Sequence, residues 1–262
     1  MGQENSVENK AAELLRLHQD PTLLTVVNVW DSISAKVVAD TPGTAALATA
    51  SHSIAASWGY PDGEKIPVDL LIEAVGRIVE ATTLPVSADL EGGYGDPAGT
   101  IRKAIGVGVV GANIEDQMKP LDEAVANVKA IMDAAISEGV PDFVLNARTD
   151  AFVLGRDKDQ GEVLKEALER GKAFIDAGAP VVFVPGRLDE EAVSTLVEAF
   201  GPQRLTVIGA PGGPPLARLE ELGVARVSYG PMPQRVALTA LQELVEEIHR
   251  GGEPPSTMRP LN

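Results

Sequence analysis

The sequence predicts an α/β chain folded as a (β/α)8 TIM barrel, and three observations carry that prediction. Eight short apolar runs rich in Val, Ile, Leu and Ala recur without strict alternation, as strands buried on both faces do. Longer segments with a period near 3.6 separate them. No stretch of linker composition interrupts the alternation, which favours a closed barrel over an open doubly wound sheet. A length of 262 residues suits one such domain spanning 1–262, and a hydrophobic share of 44% supplies its core.

Taken in order, residues 1–20 predict a helix packed on the barrel. The strands are expected at 24–30, 45–51, 85–90, 109–115, 143–148, 181–185, 205–209 and 225–229. Helical periodicity covers 67–82, where Val68, Leu71, Ile72, Val75, Ile78 and Val79 share a face, and then 121–138, 159–177, 189–199, 215–222 and 234–249. Gly178, Gly201 and Gly223 stand where helix C-terminal caps belong. The Gly- and Pro-rich tail 251–262 is expected to be flexible.

Composition bounds the function. With 22 Lys and Arg against 38 Asp and Glu, the net charge is −16. Such a surface repels phosphate backbones and anionic headgroups, so neither nucleic acid nor membrane is an expected partner. Without cysteine there is no disulfide, thiolate metal site or Cys nucleophile. The N-terminal stretch lacks a signal peptide's apolar core and no segment reaches membrane-span length, so a cytoplasmic location is expected.

In a barrel the strand C-termini and the loops after them form the active face. The third strand ends in "SADLEGGYGDP", where Asp89 and Glu91, two apart on an extended chain, would point to one side. The fourth ends in "NIEDQ", with Glu115 at its tip, and the fifth in "NARTD", with Arg148 and Asp150. The loop after the second carries Asp62 and Glu64. Carboxylates gathered on one rim repel unless a cation sits among them, and an all-oxygen set suits Mg2+ or Mn2+. Asp89, Glu91 and Glu115 are therefore the candidate metal ligands, and Arg148 the fork for an anionic substrate group.

Each of these has a structural alternative: a strand-end salt bridge for Asp89 and Glu91, an ion pair with Glu115 for Arg148, a turn for Asp62. Asp31 reads as a helix cap or a substrate contact. His52 follows the second strand at the active face and is a candidate proton carrier, whereas His18 and His249 fall in helices read as peripheral. Tyr94, in the glycine-rich turn, is a candidate for oxyanion stabilisation or for closing the loop.

At these residues the chain resembles the isocitrate lyase/phosphoenolpyruvate mutase superfamily, through "NVWDSISAKVVAD", "ASWGYPDGE", "DLEGGYGDP", "GANIEDQ", "NARTDAF" and "GVARVSYGP". The resemblance implies a Mg2+-dependent barrel, a homo-oligomer (dimer or tetramer) whose subunits exchange their last helix. It implies C–C or P–C bond chemistry beside a 2-oxo acid through an enolate. It also implies roles: Asp89, Glu91 and Glu115 at the ion, Asp62 reaching toward it, Arg148 on the substrate's anionic group, and Ala50–Ser51 holding the substrate carboxylate near Trp30.

Departures are equally legible. The Lys-Lys-Cys-Gly-His loop of the isocitrate and methylisocitrate lyases is absent, as is the mutase's gating loop; Lys119 is the only nearby cation. His52 stands where small residues are common, and the seventh strand ends "VIGAPGG" without an Asn. The expected activity is a C–C lyase or decarboxylase. Phosphonopyruvate hydrolysis or mutation, and a metabolite-binding barrel without turnover, remain alternatives.

Overall fold

The structure, a computed structural model, describes residues 6–261. The helix expected over 1–20 is therefore seen from its capping residue onward, with 1–5 outside the described residues, as is Asn262 of the tail. The barrel is one sheet of nine parallel strands: β1 (Leu24–Thr25), β2 (Asn28–Val29), β3 (Leu47–Thr49), β4 (Val86–Asp89), β5 (Gly111–Glu115), β6 (Val144–Arg148), β7 (Val181–Phe183), β8 (Leu205–Ile208) and β9 (Arg226–Ser228). Their order is β1-β9-β8-β7-β6-β5-β4-β3-β2.

Nine strands stand where the sequence predicts eight because the first is divided. Its β1 half pairs with β9 and its β2 half with β3, so the segment 24–29 closes the ring. Asn28 stitches the seam. Its side-chain oxygen accepts from the backbone of Tyr229 (2.7 Å) and Gly230 (2.8 Å), and its nitrogen donates to the Thr49 carbonyl (2.8 Å).

Around the strands lie α1 (Val7–Gln19), α2 (Ser32–Ala39), α3 (Ser51–Ser57), α4 (Val68–Glu80), α5 (Pro97–Gly106), α6 (Leu121–Ser137), α7 (Ala151–Leu154), α8 (Gln160–Asp176), α9 (Glu190–Phe200), α10 (Leu216–Leu222) and α11 (Met232–His249). Every helix predicted from periodicity is present, within two residues at each end. Four more, α2, α3, α5 and α7, are not among those predicted. Asp31 is a cap: it closes a capping box at the start of α2 with Ser34.

The core is aliphatic, with β4 to β9 buried along most of their length. Helix α1 is not peripheral, as the sequence reading had it: Ala11, Leu14 and His18 are fully buried. Gly111 makes room for it, since a Cβ there would lie 2.8 Å from a Leu14 methyl. No helix among the described residues is long and apolar enough to cross a membrane.

Candidate active site

The inward-facing residues of β4 to β9 form polar tiers. In the lower one Asn146 donates to Asn113 (2.7 Å) and accepts from Thr206 (2.6 Å), while Arg226 reaches Ser87 (3.2 Å) and Asn113 (3.4 Å). Arg226 is fully buried and its Nε has no partner in the structure. Burial pulls its guanidinium down to about 10, and the charge of Asp89 above works against that pull.

The upper tier is the mouth. Register sets Glu115 of β5 beside Arg148 of β6. The Arg148 fork joins Glu115 (2.9 Å) to Asp150 (2.7 Å), and its Nε also donates to Asp150 (2.7 Å). Burial alone would lower the guanidinium; Asp150 and Glu115 outweigh it and leave it above its ordinary value. Behind it Asp116, paired with the buried Arg170 (3.2 Å), accepts from the Asp150 backbone (3.0 Å) and fixes the turn.

Asp89 ends β4. Its Oδ2 accepts from the Ser51 backbone (3.1 Å) and hydroxyl (2.8 Å), so Ser51 grips Asp89; its Oδ1 is buried without a partner. The extended-chain argument for Glu91 does not hold. β4 stops at Asp89, and Glu91 has φ 53, so a turn rather than strand alternation brings it back to the mouth. Glu91 accepts from the Glu64 backbone and the Tyr94 hydroxyl (3.1 Å), and Glu64 accepts from the Tyr94 backbone (2.6 Å).

Burial and neighbouring carboxylates push Glu91 up to about 7. Burial first, then the charges of Asp150 and Asp89, push Glu115 to about 7 against the pull of Arg148. Burial and Glu91 raise the Tyr94 phenol far above its ordinary value. Among the described residues no three acidic or histidine side chains close on one point as a finished ion cage. Glu91 and Glu115 instead lean on local partners. The orphaned Asp89 oxygen and two carboxyls that resist ionisation are what a hard cation would relieve, so the donor set fits Mg2+ or Mn2+.

The remaining expected residues are dispersed. Asp62 is exposed and touches the cluster only through its charge on Glu91; Glu64 is the member of that loop that enters the network. His52 is half-buried in α3 with Nδ1 buried and unpartnered. Ala50 is the buried N-cap of α3, which has no side-chain cap. Trp30 borders a separate 260 Å³ cleft beside α2 and Pro233. Lys119 pairs with Glu123 (3.6 Å).

Backbone strain marks the same mouth. Of six non-glycine residues at positive φ among the described residues, Glu64, Glu91, Tyr94, Gln117 and Met118 lie in its loops. Gly92 is needed because a Cβ would come within 2.3 Å of the Gln117 amide.

Residues 14–249 match the family model for phosphoenolpyruvate phosphomutase. The chain belongs to the phosphoenolpyruvate mutase/isocitrate lyase superfamily. Within it, the chain is 29% identical over 255 residues to 2,3-dimethylmalate lyase of Eubacterium barkeri, covering 90% of this chain and 85% of that one. It is 31% identical to an uncharacterized Mycobacterium tuberculosis protein, covering 92% and 91%. A Burkholderia cenocepacia J2315 crystal structure, provisionally named a phosphonomutase, superposes with a TM-score of 0.86 at 40% identity, over 94% of this chain and all of that one. Superfamily relatives bear lyase and mutase names, and this chain is an enzyme of their type.

Proposed function

We propose that this enzyme is a Mg2+- or Mn2+-dependent carbon–carbon lyase that cleaves the bond beside the 2-position of a small acid, releasing a 2-oxo acid. One observation carries the reading: a carboxylate-clamped arginine, Arg148, stands at the strand ends beside Asp89, whose inner oxygen is buried and unpartnered. Asp89, Glu91 and Glu115 would hold the ion, which supplies electrophilic stabilisation of enolate oxygen when bound.

This chain's residues account for the rest. Arg148 binds the substrate's anionic group through its planar fork. The start of α3 at Ala50–Ser51, which also holds Asp89, would face the substrate carboxylate. In cleavage the 2-hydroxyl loses its proton, its electron pair closes the new carbonyl, and the C–C bond breaks. The bond pair stays on the other fragment as an enolate of its carboxylate, which takes a proton at carbon. Tyr94, whose hydroxyl lies 3.1 Å from Glu91, and His52, whose Nδ1 is buried and unpartnered, are the candidates to move the two protons.

The five-residue connection 116–120 between β5 and α6 favours this chemistry, because it asks least of a covering loop. The likeness to a provisionally named phosphonomutase favours P–C chemistry as the second reading. Turnover assays with Mg2+ on 2-hydroxy and 2-oxo diacids and on phosphonopyruvate decide. Pyruvate or another 2-oxo acid released from a diacid is the expected result. Release from phosphonopyruvate alone transfers the reading to P–C chemistry. Binding without turnover across the series leaves a metabolite-binding barrel. Asp89→Ala is expected to lower turnover at least about a hundredfold with an unchanged melting profile; full activity in that variant removes the ion from the reading.

A further inference from the structure

Across the mouth from the acids, a cavity of about 700 Å³ opens between α7 and the ends of β7 and β8. Its wall is largely apolar, with Phe152, Pro185, Ile208 and Pro211, and its only charged lining residues are Arg156 and Arg187. An adjoining cavity of about 450 Å³ toward β9 shares Arg187 as its only charge. The strand ends are kept bare here. A Cβ on Gly186 would lie 2.7 Å from the Phe152 Cβ, and one on Gly209 2.7 Å from the Tyr229 ring.

Neither arginine belongs to the ion-paired set, as Arg204, Arg235 and Arg259 also do not. Seven others in a chain of net charge −16 are ion-paired. Arg156 and Arg187 make no ion pair or hydrogen bond among the described residues. Both are exposed over the apolar wall, and the acids nearest the cavity, Asp189 and Glu191, line a neighbouring cleft of about 520 Å³ on the outer side of Arg187 without pairing with it. Pockets of roughly 300–1,000 Å³ take ligands much larger than a three- or four-carbon acid.

We infer that this cavity is the subsite for the distal part of the substrate, an apolar chain of several carbons ending in an anionic group held by Arg187 and Arg156. The inference rests on the reading of the acidic mouth as the site for the 2-oxo head. Cavity and head site share one rim: Arg148 ends β6, and three residues on α7 begins, carrying Phe152. The substrate class is therefore an elongated diacid whose two charged ends are separated by hydrocarbon. Arg156 and Arg187 are its specificity-determining residues, with no part in bond cleavage.

Calorimetric titration of the Mg2+-loaded full chain with four probes tests this. Oxalate presents the head alone, and pyruvate a minimal 2-oxo acid. Octanoic acid bearing a 2-oxo group has an uncharged tail, and its terminal dicarboxylate analogue a charged one. The charged-tail probe is expected to bind at least about tenfold more tightly than the other 2-oxo acids, the worth of one or two charge-assisted hydrogen bonds. Arg187→Gln and Arg156→Gln should each erase most of that gain while leaving oxalate affinity unchanged, and Arg187→Lys should restore part of it.

If oxalate binds in an Asp89-dependent way but the two long acids bind alike, or the arginine variants change nothing, the cations are solvated loop residues and the inference falls alone. If the charged tail gains through the arginines while oxalate ignores Asp89→Ala, the cavity stands and the head-site reading falls. No binding of any probe overturns both.

Discussion

At the scale of single residues, the mouth stores unfavourable charge that a cation would release. Glu91 and Glu115 are raised from an ordinary 4.5 to about 7 by burial and by neighbouring carboxylates. A carboxyl raised in the folded state contributes stability that is full below the unfolded value and is lost as pH climbs through the folded one. Between about pH 4.5 and pH 7 the ion-free protein should therefore lose stability as pH rises. An ion held by these acids would drive those protons off, so Mn2+ affinity is expected to rise with pH up to about 7, by about tenfold per unit for each proton displaced, and then level. Titrations in buffers of different ionisation enthalpy measure the proton release directly, and pH-independent affinity with no protons released would separate Glu91 and Glu115 from the ion. The acids and Arg148 were legible beforehand because one rule, polar residues at barrel strand ends, selects them. Glu64 was picked out beside Asp62 but without its role in the network, and Arg170 and Arg226 were not seen. Glu64 acts through a turn whose positive φ no spacing announces, and the two arginines are buried polar groups invisible to an apolar period.

At the scale of elements, α1 behaves as the plug of the barrel's lower end. His18 is fully buried, has no carboxylate partner, and shares the interior with Arg226; burial first, and then that charge, push it down to about 3. Its Nδ1 contacts the Leu14 carbonyl at 2.8 Å, which fixes the tautomer and by itself favours the protonated ring, but burial and Arg226 outweigh it. A depressed histidine contributes stability that is full above about pH 6.5 and lost as pH falls toward 3. The expected cost at the acid limit is on the order of 4 kcal/mol. Urea midpoints measured from pH 7.5 to pH 4 should fall steeply for the wild type and much less for His18→Gln; parallel curves would mean that α1 opens without exposing His18. Sequence periodicity found α1 and placed it on the barrel, yet read its histidine as peripheral. The ring lies on the helix's buried face, but only Gly111, one strand turn into the barrel, reveals that this face enters the barrel's end rather than lying against its side. The divided first strand escaped for a related reason: 24–29 is one apolar run, and only the pairing of its halves with β9 and β3 separates them.

At the scale of the whole molecule, α11 is out of proportion to what it covers. It runs 18 residues, about 27 Å. Only Gln234 is buried, anchored to Ser53 (3.0 Å) and Ser57 (2.9 Å) of α3. Beyond that first turn Leu238, Leu241, Val245 and Ile248, spaced three, four and three apart, form one apolar stripe, each at least 41% exposed. An isolated helix of this length is marginal in water without a face to bury. A second copy would supply one: the stripe of each chain against the other's barrel, beside the cleft where Trp30 and Pro233 meet, would repeat the same patch on both sides as a twofold contact requires. The expected particle is thus a dimer or a tetramer built from such pairs, consistent with the helix exchange that the sequence resemblance implies. Leu241→Glu combined with Val245→Glu places four charges in each twofold contact and should shift sedimentation equilibrium to the monomer. The barrel's own circular dichroism should persist while the helical signal falls by about the share of α11. A wild type that sediments as a monomer at micromolar concentration, with α11 still helical, would show that the stripe is tolerated in water and would leave the helix without a structural reason to extend.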